Sequence, residues 1–365
     1  MGGIRMNNDY ITLANVLSVY EKEISKNVKN KKRVYNFEVN KMQNIMNITK
    51  MLKNHDIGVM HYNVFLIHEP KERLVMSLSV QGKIINHFLA RYILEKNLTK
   101  YLDARNIATR KNMGTDYGVK LVIKYINILK RKHKTFYVLK IDISKYFYSI
   151  DHAVLKGLLE DKLEFFEYKM MCDVIDSTNN PKVLSKIKWI KDKFAADIPL
   201  YEVGKGLPIG NMTSQFLSIF YLYKIDHYIV HNLHIKYYVR YMDDFILMDE
   251  NKEKLEKALD VIVKKLKDEY KLNVNPKKTN IVNIKDGFSF LGYTFKIKGK
   301  KNIIKIKRSN VEKIKKRVKI VKCLYNKGKI SLESAFSSVM TYSNTYKYAD
   351  NRRVLRVVER YFYDK

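Results

Sequence analysis

Cysteine is scarce in this sequence: Cys172 and Cys323 are the two cysteines among 365 residues. Two thiols are too few for a disulfide framework or for a four-ligand zinc site, so we expect a reduced, intracellular protein. Proline and glycine are also rare, with 5 and 14 residues. No stretch rich in proline, glycine or serine interrupts the chain, and no internal repeat is visible.

Acidic residues are few beside basic ones. Aspartate and glutamate number 37 against 70 lysines and arginines, which gives a net charge of +33. Disorder does not explain this charge, because 46% of the residues are hydrophobic and 12% are aromatic, enough for a large core. The excess predicts a polyanionic partner, with nucleic acid first and an anionic membrane surface second. A codon bias toward lysine is a third explanation of the lysine count.

Long apolar runs are missing as well, so we expect no membrane-embedded segment and a cytoplasmic location. The shorter apolar patterns predict a mixed helix and strand centre in the order strand, helix, hairpin, helix, strand. The predicted elements are a strand over 136–142, a hairpin over 235–250, a helix over 252–270 capped by Asn251, strand-like segments over 279–284 and 288–297, and helices from Arg308 onward.

Three aspartates stand out in a chain that is otherwise short of acids. Asp142 ends the first predicted strand, and Asp243 and Asp244 lie on the hairpin about a hundred residues later. Two Mg²⁺ ions need bridging hard oxygen ligands, which aspartates on two adjacent strands supply. An exposed hairpin turn is the alternative explanation for the Asp-Asp pair taken alone.

The residues around these aspartates resemble a known family. Tyr241-Met242-Asp243-Asp244, flanked by apolar residues, resembles the Tyr-x-Asp-Asp signature of reverse transcriptases. Other segments resemble the family's motifs in the family's order: finger motifs at 69–73 and 108–115, palm motifs at 140–152 and 206–215, the lysine-bearing motif at 272–279 and the primer-grip motif at 290–293.

The resemblance implies an α+β fold of the right-hand polymerase type, with fingers, a ferredoxin-like palm that carries the Tyr-Met-Asp-Asp hairpin, and a helical thumb. It places an N-terminal extension and fingers in 1–135, the palm in 136–297 with a finger insertion around 155–203, and the thumb in 298–365. The implied enzyme is an RNA-directed DNA polymerase, a nucleotidyltransferase that copies an RNA template into cDNA.

The resemblance also implies the residues of a metal centre. Asp142, Asp243 and Asp244, with the backbone carbonyl of Ile143, are expected to hold two Mg²⁺ ions, for which Mn²⁺ is able to substitute. Asp244 is the least direct ligand of the three. Lys278 is a candidate general acid for the pyrophosphate; a solvated surface lysine is the alternative.

Nucleotide contacts are implied at the finger and palm motifs. Phe147 is expected to pack against the incoming sugar and select deoxynucleotides, unless it is an ordinary core residue. Lys71, Arg73 and Arg110 are candidates for gripping the triphosphate, or are solvated surface charges. The nucleotide-binding residues of the second palm motif are Ile209, Gly210 and Gln215.

Primer and template contacts are implied at two short segments. They comprise Tyr241 and Met242 beside the aspartates, and Phe290, Leu291, Gly292 and Tyr293 of the primer grip, for which a core β-hairpin is the structural alternative. The expected partners are an RNA template, an RNA/DNA duplex and dNTPs, with a structured non-coding RNA and an accessory protein as further candidates.

Two departures from the common pattern indicate a subtype. Ile209 stands where many reverse transcriptases have Gln, and Ser214-Gln215 stands in place of Ser-Pro. This pattern resembles the enzymes of diversity-generating retroelements, which copy RNA with errors at adenines, in bacteria or their phages. Antiphage-defence reverse transcriptases, which use a dedicated non-coding RNA or protein priming, share the same centre and remain the alternative. An inactive RNA-binding scaffold is a remote one.

Overall fold

The structure is a computed structural model that describes residues 9–28, 31–68 and 72–350. The chain divides into two compact units. The first comprises Met1–Thr109, Ile143–Tyr228 and Val261–Val274, and the second comprises Arg110–Asp142, Ile229–Asp260 and Asn275–Lys365. Within the described ranges, no helix combines the length and the apolar character needed to cross a membrane. The boundaries expected for fingers, palm and thumb stay predictions.

Helices dominate the described part of the chain. In chain order they are α1 (Leu13–Val19), α2 (Lys31–Glu38), α3 (Lys41–Lys53), α4 (Val80–Leu89), α5 (Lys96–Leu98), α6 (Thr115–Lys132), α7 (Tyr146–Ser149), α8 (His152–Leu159), α9 (Phe165–Asp176), α10 (Pro181–Phe194), α11 (Met212–Tyr221), α12 (Tyr223–His231), α13 (Lys252–Asp268), α14 (Arg308–Asn326) and α15 (Leu332–Thr345). The strands are β1 (Tyr62–Ile67), β2 (Arg73–Leu78), β3 (Tyr137–Asp142), β4 (Tyr237–Tyr241), β5 (Asp244–Asp249), β6 (Asn280–Asn283), β7 (Phe288–Phe290), β8 (Tyr293–Lys298) and β9 (Lys301–Ile306).

A four-stranded antiparallel sheet forms the centre of the second unit, in the order β4-β5-β3-β6. Strand β5 is an unbroken apolar run whose residues from Phe245 to Met248 are all fully buried. Burial of consecutive residues means that both faces of the sheet are covered. Strand β3, the first of the four along the chain, lies between β6, the last of them, and the β4–β5 hairpin. This is the ferredoxin-like strand order. The α+β class and the ferredoxin-like palm are therefore confirmed.

Helix α13 confirms the expected amphipathic helix after the hairpin. Leu255, Ala258, Ile262 and Leu266 form its buried stripe. The Asn251 side chain accepts a hydrogen bond from the backbone N–H of Lys254 at 3.1 Å, as an N-cap does. The helix ends at Asp268 rather than at 270, so the predicted boundary was two residues too late.

A three-stranded sheet, β7-β8-β9, follows in the second unit. The segment 288–297, expected as one strand, is split by a two-residue turn in which Leu291 and Gly292 have φ of +48° and +83°. Strand β9 is a further difference, because no strand was expected between 297 and Arg308; helix α14 begins at Arg308, the residue from which helices were expected. Lysines and Asn302 interrupt the apolar alternation of this strand, which hid it in the sequence.

Helices α14 and α15 share a small apolar core in the second unit. Ile314, Val318 and Val321 of α14 pack with Ala335 and Val339 of α15. The two helices confirm the helical structure expected from Arg308 onward. Residues 351–365 of the expected thumb lie outside the described residues.

A two-stranded antiparallel hairpin, β1-β2, lies in the first unit. Val64, Leu74 and Met76 of the hairpin belong to one buried cluster with Val183 and Ile187 of α10. Helix α10 falls in the segment 155–203, which was expected as a finger insertion. Arg73 is the first residue of β2, the second strand of this hairpin.

Candidate active site

The sheet of the second unit brings the three predicted carboxylates to one end. Asp142 is the last residue of β3, and its register partner on β5 is Asp244. Tyr241 pairs with Asp244, so Met242 and Asp243 form the two-residue turn between β4 and β5. Met242 has a φ of +56°, the left-handed conformation that such a tight turn requires. Asp142, Asp243 and Asp244 are each partly buried.

Lys140 contributes a charge that the sequence reasoning missed. Its Nζ donates to Asp244 Oδ2 at 3.0 Å and to the backbone carbonyl of Ser289 at 2.9 Å. Lys140 and Asp142 lie two residues apart on β3, so both side chains lie on the same face of the sheet. That spacing was the available signal, but it does not reveal the partner on β5. The lysine holds one oxygen of Asp244 in place.

Lys278 lies against Asp142. Its Nζ donates to both carboxylate oxygens, at 2.9 and 3.0 Å, while its own side chain stays about half exposed. The loop that carries Lys278 is fixed by Asn275, whose backbone N–H donates to the Asp142 carbonyl at 2.7 Å. The structure therefore brings together four of the predicted residues: the three aspartates and this lysine.

Burial governs the electrostatics of the turn. Desolvation raises the pKa of Asp243, and the neighbouring charge of Asp142 raises it further. Desolvation also raises the pKa of Asp244 to about 6, although the ammonium of Lys140 lowers it. Carboxylates that repel one another in a partly buried site favour a bound cation.

The donor set fits divalent metal ions with a preference for oxygen. Asp244 Oδ1 is buried and has no hydrogen-bond partner among the described residues. An unsatisfied buried oxygen beside two further carboxylates is the arrangement that a hard cation such as Mg²⁺ or Mn²⁺ completes. Asp142, Asp243 and Asp244 would hold the metal.

Arg240 supports the turn from below and was not foreseen. It is fully buried, and its Nη1 donates to the backbone carbonyl of Met242 at 2.9 Å. Its guanidinium carbon lies 5.6 Å from the centre of the Phe245 ring. A buried arginine bonded to the residue before Asp243 helps to position the turn that carries this carboxylate. An arginine within an apolar strand was the signal that pointed to such a role.

Residues 53–295 match the family described as "Reverse transcriptase (RNA-dependent DNA polymerase)". The chain belongs to the reverse transcriptase family. This membership confirms the predicted family, and the family's chemistry is RNA-directed DNA polymerisation, a nucleotidyl transfer. A comparison with curated proteins gave no match.

Solved structures of telomerase are similar to this reverse transcriptase chain. Apo telomerase from Candida tropicalis, truncated from the C-terminal domain, is 13% identical with a TM-score of 0.48, and the match covers 73% of this chain and 60% of that one. Telomerase from Candida albicans in complex with a fragment of telomeric RNA is 12% identical with a TM-score of 0.49, covering 85% and 61%. The chain thus spans about three fifths of the length of these telomerases.

The nucleotide-binding residues expected of a reverse transcriptase lie mainly in the first unit. Phe147 lies in the short helix α7, which begins directly after Lys145, a residue in the left-handed conformation (φ +49°). The backbone carbonyl of Phe147 accepts a hydrogen bond from the Leu207 N–H at 2.7 Å. Gly206 donates its N–H to Ile150 at 2.7 Å. A Cβ on Gly206 would lie 2.6 Å from the Tyr201 ring, at a φ of +86°. Only glycine fits at this position, and the hydrogen bonds that Gly206 and Leu207 donate hold the two palm motifs together.

The second palm motif also contacts the β1–β2 hairpin. The Ile209 carbonyl accepts from the Met76 N–H at 3.0 Å. A Cβ on Gly210 would lie 3.2 Å from Val75 Cγ1, at a φ of +113°. Gln215 lies in the first turn of α11, partly buried. These contacts tie Ile209 and Gly210 to β2, the strand that begins at Arg73.

The remaining predicted residues are placed as follows. Lys71 lies outside the described residues, Arg73 is exposed and Arg110 is partly buried. The Ile143 side chain is buried, and its backbone bridges to Val274. Its role as a ligand stays a prediction, as do the nucleotide contacts.

The predicted primer grip is the hairpin of β7 and β8. Phe290 and Tyr293 are buried and pair with each other, whereas Leu291 and Gly292 are the turn. Tyr293 donates its hydroxyl to the Thr345 carbonyl at 3.0 Å, which fixes the hairpin to α15. The hairpin is therefore both a core element and a candidate primer contact. Its connection to the carboxylates runs through Ser289, the residue that accepts from Lys140.

Proposed function

We propose that this chain is an RNA-directed DNA polymerase that synthesises cDNA on an RNA template at Asp142, Asp243 and Asp244. The single observation that carries the proposal is the convergence of these carboxylates at the end of a reverse transcriptase palm, with Asp244 Oδ1 left unsatisfied. Its partners are the template RNA, the RNA/DNA duplex and dNTPs. We place it in the cytoplasm of a bacterium or in a phage-infected cell, on the motif resemblance.

Asp142, Asp243 and Asp244 would hold two divalent ions as cofactors, preferably Mg²⁺. When bound, such ions lower the pKa of a primer 3′-hydroxyl and neutralise the charge of the leaving pyrophosphate. Asp244 has a lesser share in binding them, because Lys140 already occupies its Oδ2. The protein's own groups then have four tasks: orienting the primer end, binding the triphosphate, selecting the sugar and delivering a proton.

Lys278 is assigned the role of general acid, which delivers a proton to the leaving pyrophosphate. It carries a charged Nζ beside Asp142 and remains about half exposed, so it can turn toward a pyrophosphate oxygen and donate to it. Phe147 is assigned the choice of sugar, since a ring at that position leaves no room for a 2′-hydroxyl. Arg73 and Arg110 are assigned the triphosphate, which an arginine binds through two parallel hydrogen bonds.

The decisive experiment measures dNTP incorporation on an RNA template with an annealed DNA primer. Asp243→Ala should abolish incorporation and leave RNA binding intact. Asp260→Asn, at an exposed aspartate of α13, is the matched control and should keep full activity. RNA binding without incorporation by the wild-type protein would identify an RNA-binding scaffold and reject the proposal.

We further propose that the polymerase serves a diversity-generating retroelement. The support is Ile209, whose side chain offers no hydrogen bond where Gln is common, and which the Met76 N–H holds by its carbonyl. Looser base selection follows from such a contact. Primer extension should show excess misincorporation opposite template adenines, and Ile209→Gln should reduce it. Equal error rates opposite all four bases, in both proteins, would instead favour an antiphage-defence enzyme.

A further inference from the structure

A cavity of about 910 Å³ lies at the end of the four-stranded sheet opposite to Asp142. Phe136 and Ile284, which adjoin the start of β3 and the end of β6, form part of its wall. Strand β3 separates this end from the carboxylates by roughly 16–20 Å, at about 3.3 Å per residue. The cavity belongs entirely to the second unit.

Lysine and arginine supply seven of the twelve residues that line this basic cavity, and no aspartate or glutamate is among them. Three segments contribute: the end of α6 and the loop that follows it, with Lys130, Arg131 and Lys134; the loop after β6, with Lys285; and the β8–β9 hairpin, with Lys296, Lys298 and Lys300. Attraction to the helix dipole explains cations at the end of α6. It does not explain the lysines of the hairpin, which belong to another element.

No acidic side chain of the described ranges forms an ion pair with these seven cations. Lys130 Nζ donates to the Lys300 carbonyl at 3.3 Å and to Asn302 Oδ1 at 2.7 Å, and both acceptors are uncharged. Among the described residues, no carboxylate lies within 4 Å of the seven lysine and arginine side chains. Glu250, 3.8 Å from His133 Nε2, is the acid next to the lining. By contrast, Lys140 and Lys278 of the same unit each form an ion pair with an aspartate.

Seven unpaired cations around one cavity repel each other, so a polyanion that enters it relieves a cost already present in the folded chain. A small anion neutralises one or two of them, whereas a polynucleotide brings one charge with each nucleotide. A lipid surface is flat and does not fill a concave site. The charge and the concave form therefore favour a phosphodiester chain.

We propose that the basic cavity is a second RNA-binding site, which holds the phosphate backbone of an unpaired RNA segment away from the polymerising carboxylates. The choice of RNA as the polyanion rests on the proposed function. A site at the far end of the sheet leaves the carboxylate end to the primer terminus. The second site anchors the part of the RNA that awaits copying or that is never copied.

The test compares two triple variants of the full chain. Lys296→Gln/Lys298→Gln/Lys300→Gln removes three exposed charges from the basic cavity. Lys257→Gln/Lys264→Gln/Lys267→Gln, at exposed lysines of α13, removes the same charge elsewhere. The probe is a fluorescein-labelled uridine oligonucleotide. Its affinity is followed by anisotropy across a salt series, with excess unlabelled RNA/DNA primer–template hybrid present to occupy the polymerase centre.

The cavity variant should lose affinity about 10- to 100-fold at about 0.1 M salt, and its slope of log K against log salt should flatten by about 2, at about 0.7 for each phosphate contact. The control should stay within about twofold of wild type. Equal losses in both variants, no loss in either, or a loss without a change of slope would overturn the proposal.

The same measurements separate this proposal from the proposed function. If the wild-type protein incorporates no dNTP while the cavity variant still loses RNA affinity, the polymerase proposal fails and the second site stands. If the wild type polymerises and the cavity variant binds the oligonucleotide as the wild type does, only the second site fails. Binding to anionic vesicles in place of the oligonucleotide would also overturn the RNA assignment.

Discussion

Asp244→Asn is expected to stabilise the metal-free protein while it impairs polymerisation. Burial raises the pKa of Asp244 from 3.8 to about 6 even though Lys140 binds its Oδ2. The side chain is 26% exposed, so solvent screens it only in part. A folded-state pKa above the unfolded value means that the ionised carboxylate costs stability. Asparagine has the same shape and no charge, so it removes this cost.

The magnitude follows from the size of the shift. One pKa unit corresponds to about 1.4 kcal/mol, so the ionised Asp244 costs about 3 kcal/mol above pH 6. The cost is absent below about pH 4 and grows between pH 4 and pH 6, where the folded protein keeps the proton that the unfolded chain releases. At pH 4.5 about 1 kcal/mol remains. For a chain of 365 residues, 3 kcal/mol raises the unfolding midpoint by about 4 °C.

The assay is thermal unfolding by circular dichroism in EDTA, at pH 7.5 and at pH 4.5. The variant should exceed the wild type by about 4 °C at the higher pH and by about 1 °C at the lower. Asp260→Asn, which removes an exposed carboxylate, should leave the midpoint unchanged at both. An Asp244→Asn protein that melts at or below the wild-type temperature at pH 7.5 would refute the inference that the ionised carboxylate of Asp244 destabilises the metal-free fold.

Three further changes test the supports of the site. Arg240→Met removes the hydrogen bond to the Met242 carbonyl and should lower the free energy of unfolding by about 2–3 kcal/mol in urea, and kcat with it; an unchanged kcat would show that the turn keeps its position unaided. Gly206→Ala places a Cβ 2.6 Å from Tyr201 and should cost about 2–4 kcal/mol, against about 1 kcal/mol for Gly204→Ala, where nothing lies within 4 Å; equal costs would contradict the packing argument. Phe147→Ala should lower the preference for dNTP over rNTP in primer extension by at least about tenfold, and a retained preference would leave Phe147 as a core residue.

The sequence by itself determined the local elements of the palm. The strand that ends at Asp142, the Tyr-Met-Asp-Asp hairpin and the amphipathic helix after Asn251 each carry their own signal. These signals are an apolar run that ends in a carboxylate, a tight polar turn, and an N-cap before an apolar stripe. Motif order then identified the family. Strand β9 escaped, because lysines and an asparagine occupy positions that would otherwise show alternation.

Only the tertiary structure decided which charges meet. Lys140 binds Asp244 across more than a hundred residues of chain, Lys278 binds Asp142, and Arg240 supports the Met242 turn. The basic cavity likewise combines lysines from three separate segments. Local sequence specifies helices and turns because these depend on neighbouring residues. The partners of a buried charge depend on strand register and packing, which link residues that are far apart in the chain.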